Sequence, residues 1–196
     1  MGPLLFTWLL IVCLGSAVLA AAGNDEPRVN PQAAALKEFS DRARDYIELH
    51  NRLATGLPPV SAHATPEEIE AHREGLATAI RRARSTAGER QGHVFTRHVD
   101  PILRGIVRRD LHSRDLEDSL AVLAEVPLNP RLRFNDPWPS NAARGTVPPR
   151  LLKSLPALPA GLEYRFLGRH LVLVDSAANL IVDYLTNVIP ATIRRP

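Results

Sequence analysis

The sequence has very few sulfur-containing and aromatic residues. It contains one cysteine and one methionine, and aromatic side chains make up 5% of its 196 residues. The cysteine is Cys13 and the methionine is Met1, so both precede residue 23. If that leading segment is removed, the remaining chain contains no cysteine, and disulfides and thiol catalysis are both excluded.

Charged side chains are absent from residues 1–22. Residues 3–14 are almost continuously apolar, and small residues become frequent over residues 17–22. This order is typical of the apolar region and the cleavage region of a secretory signal peptide. We therefore expect cleavage after Ala20 or Ala22 and export of the rest of the chain to the periplasm or the extracellular space.

Two alternatives to a cleaved signal peptide stay open. The segment has no lysine or arginine before its apolar region, so the usual orienting charge is weak. Residues 3–22 could instead remain as an uncleaved membrane anchor. Cys13 could be lipid-modified, although Val12 stands where a small residue is expected.

Neither sign of charge dominates the chain. Lysine and arginine number 24 and aspartate and glutamate number 21, which gives a net charge of +3. Only Lys37 and Lys153 are lysines, so nearly all the cations are arginines. Arginine binds phosphates and carboxylates bidentately, which would suit an anionic partner such as phosphate, nucleic acid or lipid headgroups. The mixing of both signs along most of the chain instead favours a general compositional bias.

Apolar residues spaced three and four apart predict four amphipathic helices. The first begins at Asn30 before a proline, and the second begins at Thr65, where a capping box and a proline coincide. The third begins at Thr96 or at Asp100, and the fourth begins at Ser113. The residues expected on the buried face of the second helix are Ile69, His72, Leu76, Ile80 and Ala83. Short links between four such helices predict a small bundle.

The second half of the chain differs from the first in its proline content and in the period of its apolar residues. Eight prolines between residues 126 and 160 exclude a long helix or a central strand there, and Trp138 is expected to attach this connector to the body. Apolar and polar residues then alternate with a period of two from residue 162, with turns at residues 168–169 and 175–179. This pattern predicts a three-stranded antiparallel meander.

The predicted fold class is therefore α+β. A small N-terminal bundle of about four helices precedes a proline-rich connector and a C-terminal three-stranded β-meander. The corresponding boundaries are a signal peptide over residues 1–22, a helical domain over 23–125, a connector over 126–160 and a meander module over 161–196. The helices are needed to cover one face of the meander.

The meander resembles the ending of known exported bacterial proteins. Residues 162–169 (LEYRFLGR), 171–175 (LVLVD) and 180–183 (LIVD) resemble the periplasmic meander of the RcnB-like nickel and cobalt homeostasis family. The same residues resemble a group of uncharacterised exported bacterial proteins. That second resemblance includes the turn at residues 57–59, the helix start at 95–96 and the segment 147–149. Both resemblances imply a bacterial envelope or secreted protein, and neither assigns a functional residue to this chain.

Sequence motifs of catalysis are missing. The chain has no Gly-x-Ser-x-Gly elbow, no phosphate-binding glycine loop and no His-Glu-x-x-His motif. The weak candidates for metal ligands are His93, His98 and His112, whose spacing does not match two ligands on one helix face. His50 and His72 are expected to be core histidines. We predict no metal and no cofactor.

Three arginines of the third helix form the candidate binding site. Arg104 and Arg108 are four residues apart and share a helix face, and Arg109 is adjacent. An anionic ligand could bind there through charge-assisted hydrogen bonds. A solvated face paired with nearby acids is the structural alternative.

These observations predict an exported, non-enzymatic binding or interaction protein of unknown ligand. The partner could be an envelope protein or an anionic ligand, and a membrane is a partner only if the leading segment stays uncleaved. No nucleic-acid partner is expected, because aromatics are sparse and export removes the usual partner. The alternative is a hydrolase or metal-binding protein that uses His98 or His112 with nearby carboxylates. The acids in question are Asp110, Asp115, Glu117 and Asp118. This alternative requires these side chains to converge in one pocket.

Overall fold

The structure is a computed structural model, and it describes residues 30–113, 131–142 and 145–190. The predicted signal peptide and the predicted fourth helix lie outside these ranges, as do Asp115, Glu117 and Asp118. Among the helices described, none combines the length and the apolar character that crossing a bilayer requires.

The first two helices begin where the sequence predicts. Helix α1 spans Pro31–Ala54, and the side chain of Asn30 accepts a hydrogen bond from the backbone N–H of Gln32. Helix α2 spans Pro66–Thr86 and begins with the predicted capping box, formed by Thr65 and Glu68. Local capping groups therefore set both helix starts.

The structure decides between the two predicted starts of the third helix. Helix α3 spans Asp100–His112, which agrees with the Asp100 start to within one residue, although Val99 is the N-cap and no side chain caps the helix. The carbonyl of Thr96 accepts hydrogen bonds from the backbone N–H groups of Val99 and Asp100, which makes a separate turn before the helix. The hydroxyl of Thr96 donates to Glu38 on α1, so this residue anchors the turn instead of capping the helix.

The described part of the sheet has four antiparallel strands in the order β1-β2-β3-β4. Strands β2 (Leu162–Leu167), β3 (His170–Asp175) and β4 (Leu180–Leu185) form the predicted meander. The two-residue strand β1 (Gly145–Thr146) adds a short edge beside β2 that the sequence did not predict. Helix α4 (Pro149–Ser154) follows it. The fold class is therefore α+β, as predicted.

The helices pack on one face of the sheet. The rings of Phe39, Phe95 and Tyr164 stack in sequence, with centroid separations of 6.0 and 6.4 Å, and so join α1, the turn before α3 and strand β2. Apolar side chains of α1, α2, α3 and all three long strands belong to one continuous core cluster. The predicted boundaries between a helical domain and a meander module stay predictions.

The proline-rich connector covers the opposite face of the sheet. Trp138 is 5% exposed and packs with Leu167, Val172, Val174 and Ile181 in a second apolar cluster. The backbone N–H of Trp138 also donates to the carbonyl of Asn179. Trp138 therefore attaches the connector to the body, as expected.

One expectation about the buried face of α2 is wrong. Ile69 is 44% exposed, whereas Leu76 and Ile80 further along the helix are buried. The first turns of α2 project beyond the core, so a residue with the correct spacing there finds nothing to pack against. His72 is half-buried beside the α1–α2 connection.

Candidate functional site

Arg104 is engaged in holding the fold together. Its guanidinium forms an ion pair with Asp100 one turn earlier in α3. The same group donates to the carbonyl of Thr186 at 2.8 Å and to that of Asn187 at 3.4 Å. Arg104 thus ties α3 to the segment after β4, and its donors are largely occupied.

The other two predicted arginines lie on different parts of the α3 surface. Arg108 is exposed, and its backbone carbonyl accepts a hydrogen bond from the ring of His112. Arg109 lines a groove of about 610 Å³ together with Arg150 of α4. The structure therefore does not gather all three predicted arginines around one groove, and it adds Arg150, which the sequence did not indicate.

We call this feature the arginine groove. Three helices form its walls. The start of α1 forms one wall, α3 up to its end forms the second, and α4 with the residues after it forms the third. The lining residues are Gln32, Leu36, Ile102, Ile106, Arg109, Asp110, Ser113, Arg150, Ser154, Leu155 and Pro156. The α3 members recur every three or four residues, so helical periodicity alone places them on one face. The volume falls within the range of small-molecule sites.

The charges of the groove favour an anion. Within the described residues, no acidic side chain forms an ion pair with Arg109 or Arg150. Asp110 also lines the groove, but it is 8% exposed and already has an interaction partner of its own. Both arginines are exposed, so their guanidinium donors are accessible to a ligand.

The two histidines of the hydrolase alternative are far apart. His98 precedes α3 and His112 is its last residue, so the 13-residue helix between them separates the two by about 20 Å. His98 contacts Glu38 through Nδ1 at 3.0 Å, and its Nε2 accepts a hydrogen bond from Arg97. Both ring nitrogens of His98 therefore have protein partners in this structure.

A polar cluster surrounds His98 on the surface of α1. The Glu38 carboxylate contacts His98 and Arg42, and the hydrogen bond from His98 is the main reason why its pKa is lowered. Arg42 also donates to the carbonyl of His93. A guanidinium therefore lies between the two histidines. No group of three or more residues capable of holding a metal ion occurs in the described ranges.

Three buried charged residues were not identified as sites from the sequence. Asp183 is fully buried in β4, and its carboxylate accepts hydrogen bonds of 2.9 Å from the backbone N–H groups of Gly92, Val94, Phe95 and Tyr184. An acid inside an otherwise apolar strand is the one local sign that such partners are needed. The carboxylate fixes the loop before α3 on the edge of the sheet.

Arg84 is the second buried charge. Its guanidinium donates to Glu89 at 2.7 Å, to the side chain of Asn135 at 2.5 Å and to the carbonyl of Val182 at 3.1 Å. It also lies 5.0 Å from the ring centroid of Tyr46 and 4.2 Å from that of Phe134. Arg84 thus connects α2, the connector and strand β4.

The third buried charge is Asp175, which links α1 to the turn after β3. Oδ2 of this fully buried carboxylate accepts a 2.8 Å hydrogen bond from the Tyr46 hydroxyl and lies 2.6 Å from Nδ1 of His50. Its Oδ1 accepts from the backbone N–H of Ala178. Burial raises the pKa of Tyr46 well above its ordinary value, so its hydroxyl stays a donor. His50 is therefore a partly buried, hydrogen-bonded histidine, as expected.

The His50–Asp175 pair is expected to make stability depend on pH. The hydrogen bond to Asp175 raises the pKa of His50 above 6.5, its ordinary value. The charged pair then contributes its full share to the free energy of unfolding below pH 6.5. This contribution is lost as the pH rises through the higher pKa that His50 has in the folded protein. We expect the stability advantage of the natural protein over His50→Gln to shrink as the pH rises from about 6 to well above 6.5.

Urea unfolding of both proteins across this pH range measures the effect. The difference between the two curves is the relevant quantity, because every other titratable group is present in both proteins. Curves that stay parallel would show that the His50 charge does not contribute.

Comparison with known proteins provides no assignment. No family model, no curated protein and no solved structure matches the chain. The candidate site therefore depends on the residues themselves, and within the described residues the arginine groove is the feature with the volume and the accessible charge that a binding site requires.

Proposed function

We propose that the protein is an exported, non-enzymatic binding protein and that its arginine groove binds an anionic ligand. The observation that carries this proposal is the presence of Arg109 and Arg150 in one groove, where neither forms an ion pair with an acidic side chain of the described residues. Two guanidinium groups at one groove offer several N–H donors in a geometry that suits carboxylate or phosphate oxygens.

The geometry of the histidines favours binding over hydrolysis. The predicted hydrolase uses His98 or His112 with carboxylates that converge in one pocket, whereas neither histidine lines the arginine groove and α3 places them at opposite ends. The acid that contacts His98 is Glu38, and its carboxylate lies between the imidazole ring and the hydroxyl of Thr96. In a catalytic triad the histidine, not the acid, occupies the central position. Catalysis therefore stays the second candidate.

The test is a titration of the purified protein with inorganic phosphate and with acetate, followed through backbone amide NMR shifts. We expect shifts confined to the end of α3, to α4 and to the start of α1. The double variant Arg109→Gln, Arg150→Gln should weaken binding about tenfold or more, because charge-assisted hydrogen bonds are lost.

A matched control removes the same net charge from the neighbouring surface. Arg108→Gln with Lys153→Gln changes one exposed cation on α3 and one on α4, and neither side chain lines the groove. This control should bind nearly as the natural protein does. Equal weakening in both double variants would indicate general charge attraction and would contradict a specific site.

Export is a separate part of the proposal and has its own test. The supporting observation is the uncharged, apolar leading segment that ends in small residues. Intact-mass analysis of the protein from its native host, after separation of soluble and membrane fractions, should give a soluble chain that begins near Ala21 or Gly23. An intact leading segment in the membrane fraction would indicate a tethered protein. The relation to the exported bacterial families that the meander resembles belongs to this proposal.

A further inference from the structure

We infer that the ligand of the arginine groove is an amphipathic carboxylate, that is, an unbranched alkyl chain with one carboxylate head. This inference rests on the proposed function and adds the chemical class of the ligand. It follows from how apolar and cationic side chains are distributed in the groove.

One part of the groove wall is apolar. Ile102 and Ile106 occupy the same face of α3, one turn apart, and Leu36 of α1 also lines the groove. Leu36 and Ile106 pack directly on the main core, so this wall is fixed in place. The segment after α4 completes it with Leu155 and Pro156. An inorganic anion would leave this apolar surface in water, whereas an alkyl chain would cover it.

The cationic groups come from the ends of two helices. Arg109 is in the last turn of α3, and Arg150 is in the first turn of α4. Ser113, Ser154 and Gln32 add neutral polar groups to the same lining. A carboxylate can take a bidentate hydrogen bond from a guanidinium while its chain lies along the isoleucines.

Two other grooves lack this combination. A groove of about 410 Å³ beside the α1–α2 connection contains Glu68 and His72 but no arginine. A groove of about 400 Å³ beside β2 contains Arg165, but that arginine is already paired with Glu163. Only the arginine groove, among these three, presents accessible cations beside an apolar wall.

The test is a binding series measured by calorimetry on the unmodified protein with butanoate, hexanoate, octanoate and decanoate below their micellar concentrations. The affinity should rise about two- to fourfold for each added methylene until the groove is filled, because each buried methylene gains hydrophobic free energy. Octylammonium should bind at least tenfold more weakly than octanoate, since its charge is repelled by the arginines.

Two variants test where the alkyl chain and the carboxylate head of the ligand bind in the groove. Ile102→Ser should flatten the dependence on chain length, whereas Val60→Ser, at an exposed apolar side chain of another groove, should leave it unchanged. Arg109→Gln should weaken every carboxylate by a similar factor, because the head is common to the series. If Ile102→Ser lowers the folded fraction, the ligand series on the unmodified protein still decides the matter.

The outcomes separate this inference from the proposed function. Arginine-dependent binding of acetate and phosphate without any gain from longer chains would overturn the inference and leave the anion site intact. Equal binding of octylammonium and octanoate, or octyl phosphate binding more than tenfold tighter than octanoate, would also overturn it. Failure of every anion to bind would overturn both.

Discussion

Asp183→Asn should destabilise the protein by about 3–5 kcal/mol, a large part of the stability of a domain of this size. The natural carboxylate accepts four backbone hydrogen bonds while fully buried. In asparagine an NH2 group replaces one carboxylate oxygen. Its N–H donors then face backbone N–H groups that are donors themselves. Those backbone donors then lose their acceptor, and the N–H groups of Val94 and Phe95 are buried away from water.

Urea unfolding gives the free energy, and amide hydrogen exchange gives the location of the effect. Exchange should accelerate first at Val94 and Phe95, whose N–H groups bond to Asp183. Asp45→Asn is the control, because Asp45 is exposed on α1 and its replacement should change stability by less than about 0.5 kcal/mol. A loss below about 1 kcal/mol for Asp183→Asn would show that the carboxylate does not hold the loop.

Arg84→Met is the second substitution with a large expected effect, again about 3–5 kcal/mol. Methionine fills a similar volume, so the loss comes from the removed charge and not from a cavity. Glu89 would keep a negative charge with 17% side-chain exposure and no guanidinium beside it. The carbonyl of Val182 and the amide oxygen of Asn135 would also lose their donor.

Two further variants identify the origin of the effect. Arg84→Met combined with Glu89→Gln should recover part of the lost stability, because the unpaired charge is then removed as well. Arg82→Met is the matched control, since Arg82 is exposed two residues earlier in α2. An additive double variant would show that the two groups do not depend on each other, which would contradict the structural account. The midpoint of urea unfolding is the measurement in each case.

The helices and strands follow from local sequence. Thr65 and Glu68 satisfy each other's backbone groups within one turn, so the start of α2 needs no tertiary partner. The change of apolar period at residue 162 and the turn at Gly168, with φ of 64°, define the first hairpin of the meander. The local sequence does not decide the start of α3, because Thr96 and Asp100 are equally good candidates, and only the contact of Thr96 with Glu38 separates them.

The contacts of the arginines could not be predicted from local sequence. Sequence spacing correctly placed Arg104 and Arg108 on one helix, but it could not show that Arg104 would reach the carbonyls of Thr186 and Asn187. It also could not bring Arg150, 41 positions further along the chain than Arg109, into the same groove. Helical periodicity determines which face a residue occupies, whereas packing determines what that face meets.

By itself, the sequence determined the α+β class, the caps of the first two helices, the hairpin and the attachment of the connector through Trp138. These features depend on neighbours within a few residues or on a single large apolar side chain. Only the tertiary structure decided which charges are buried and which are accessible. Arg84, Asp175 and Asp183 find most of their partners about 50 to 130 residues away, so no short window of sequence contains both halves of those contacts.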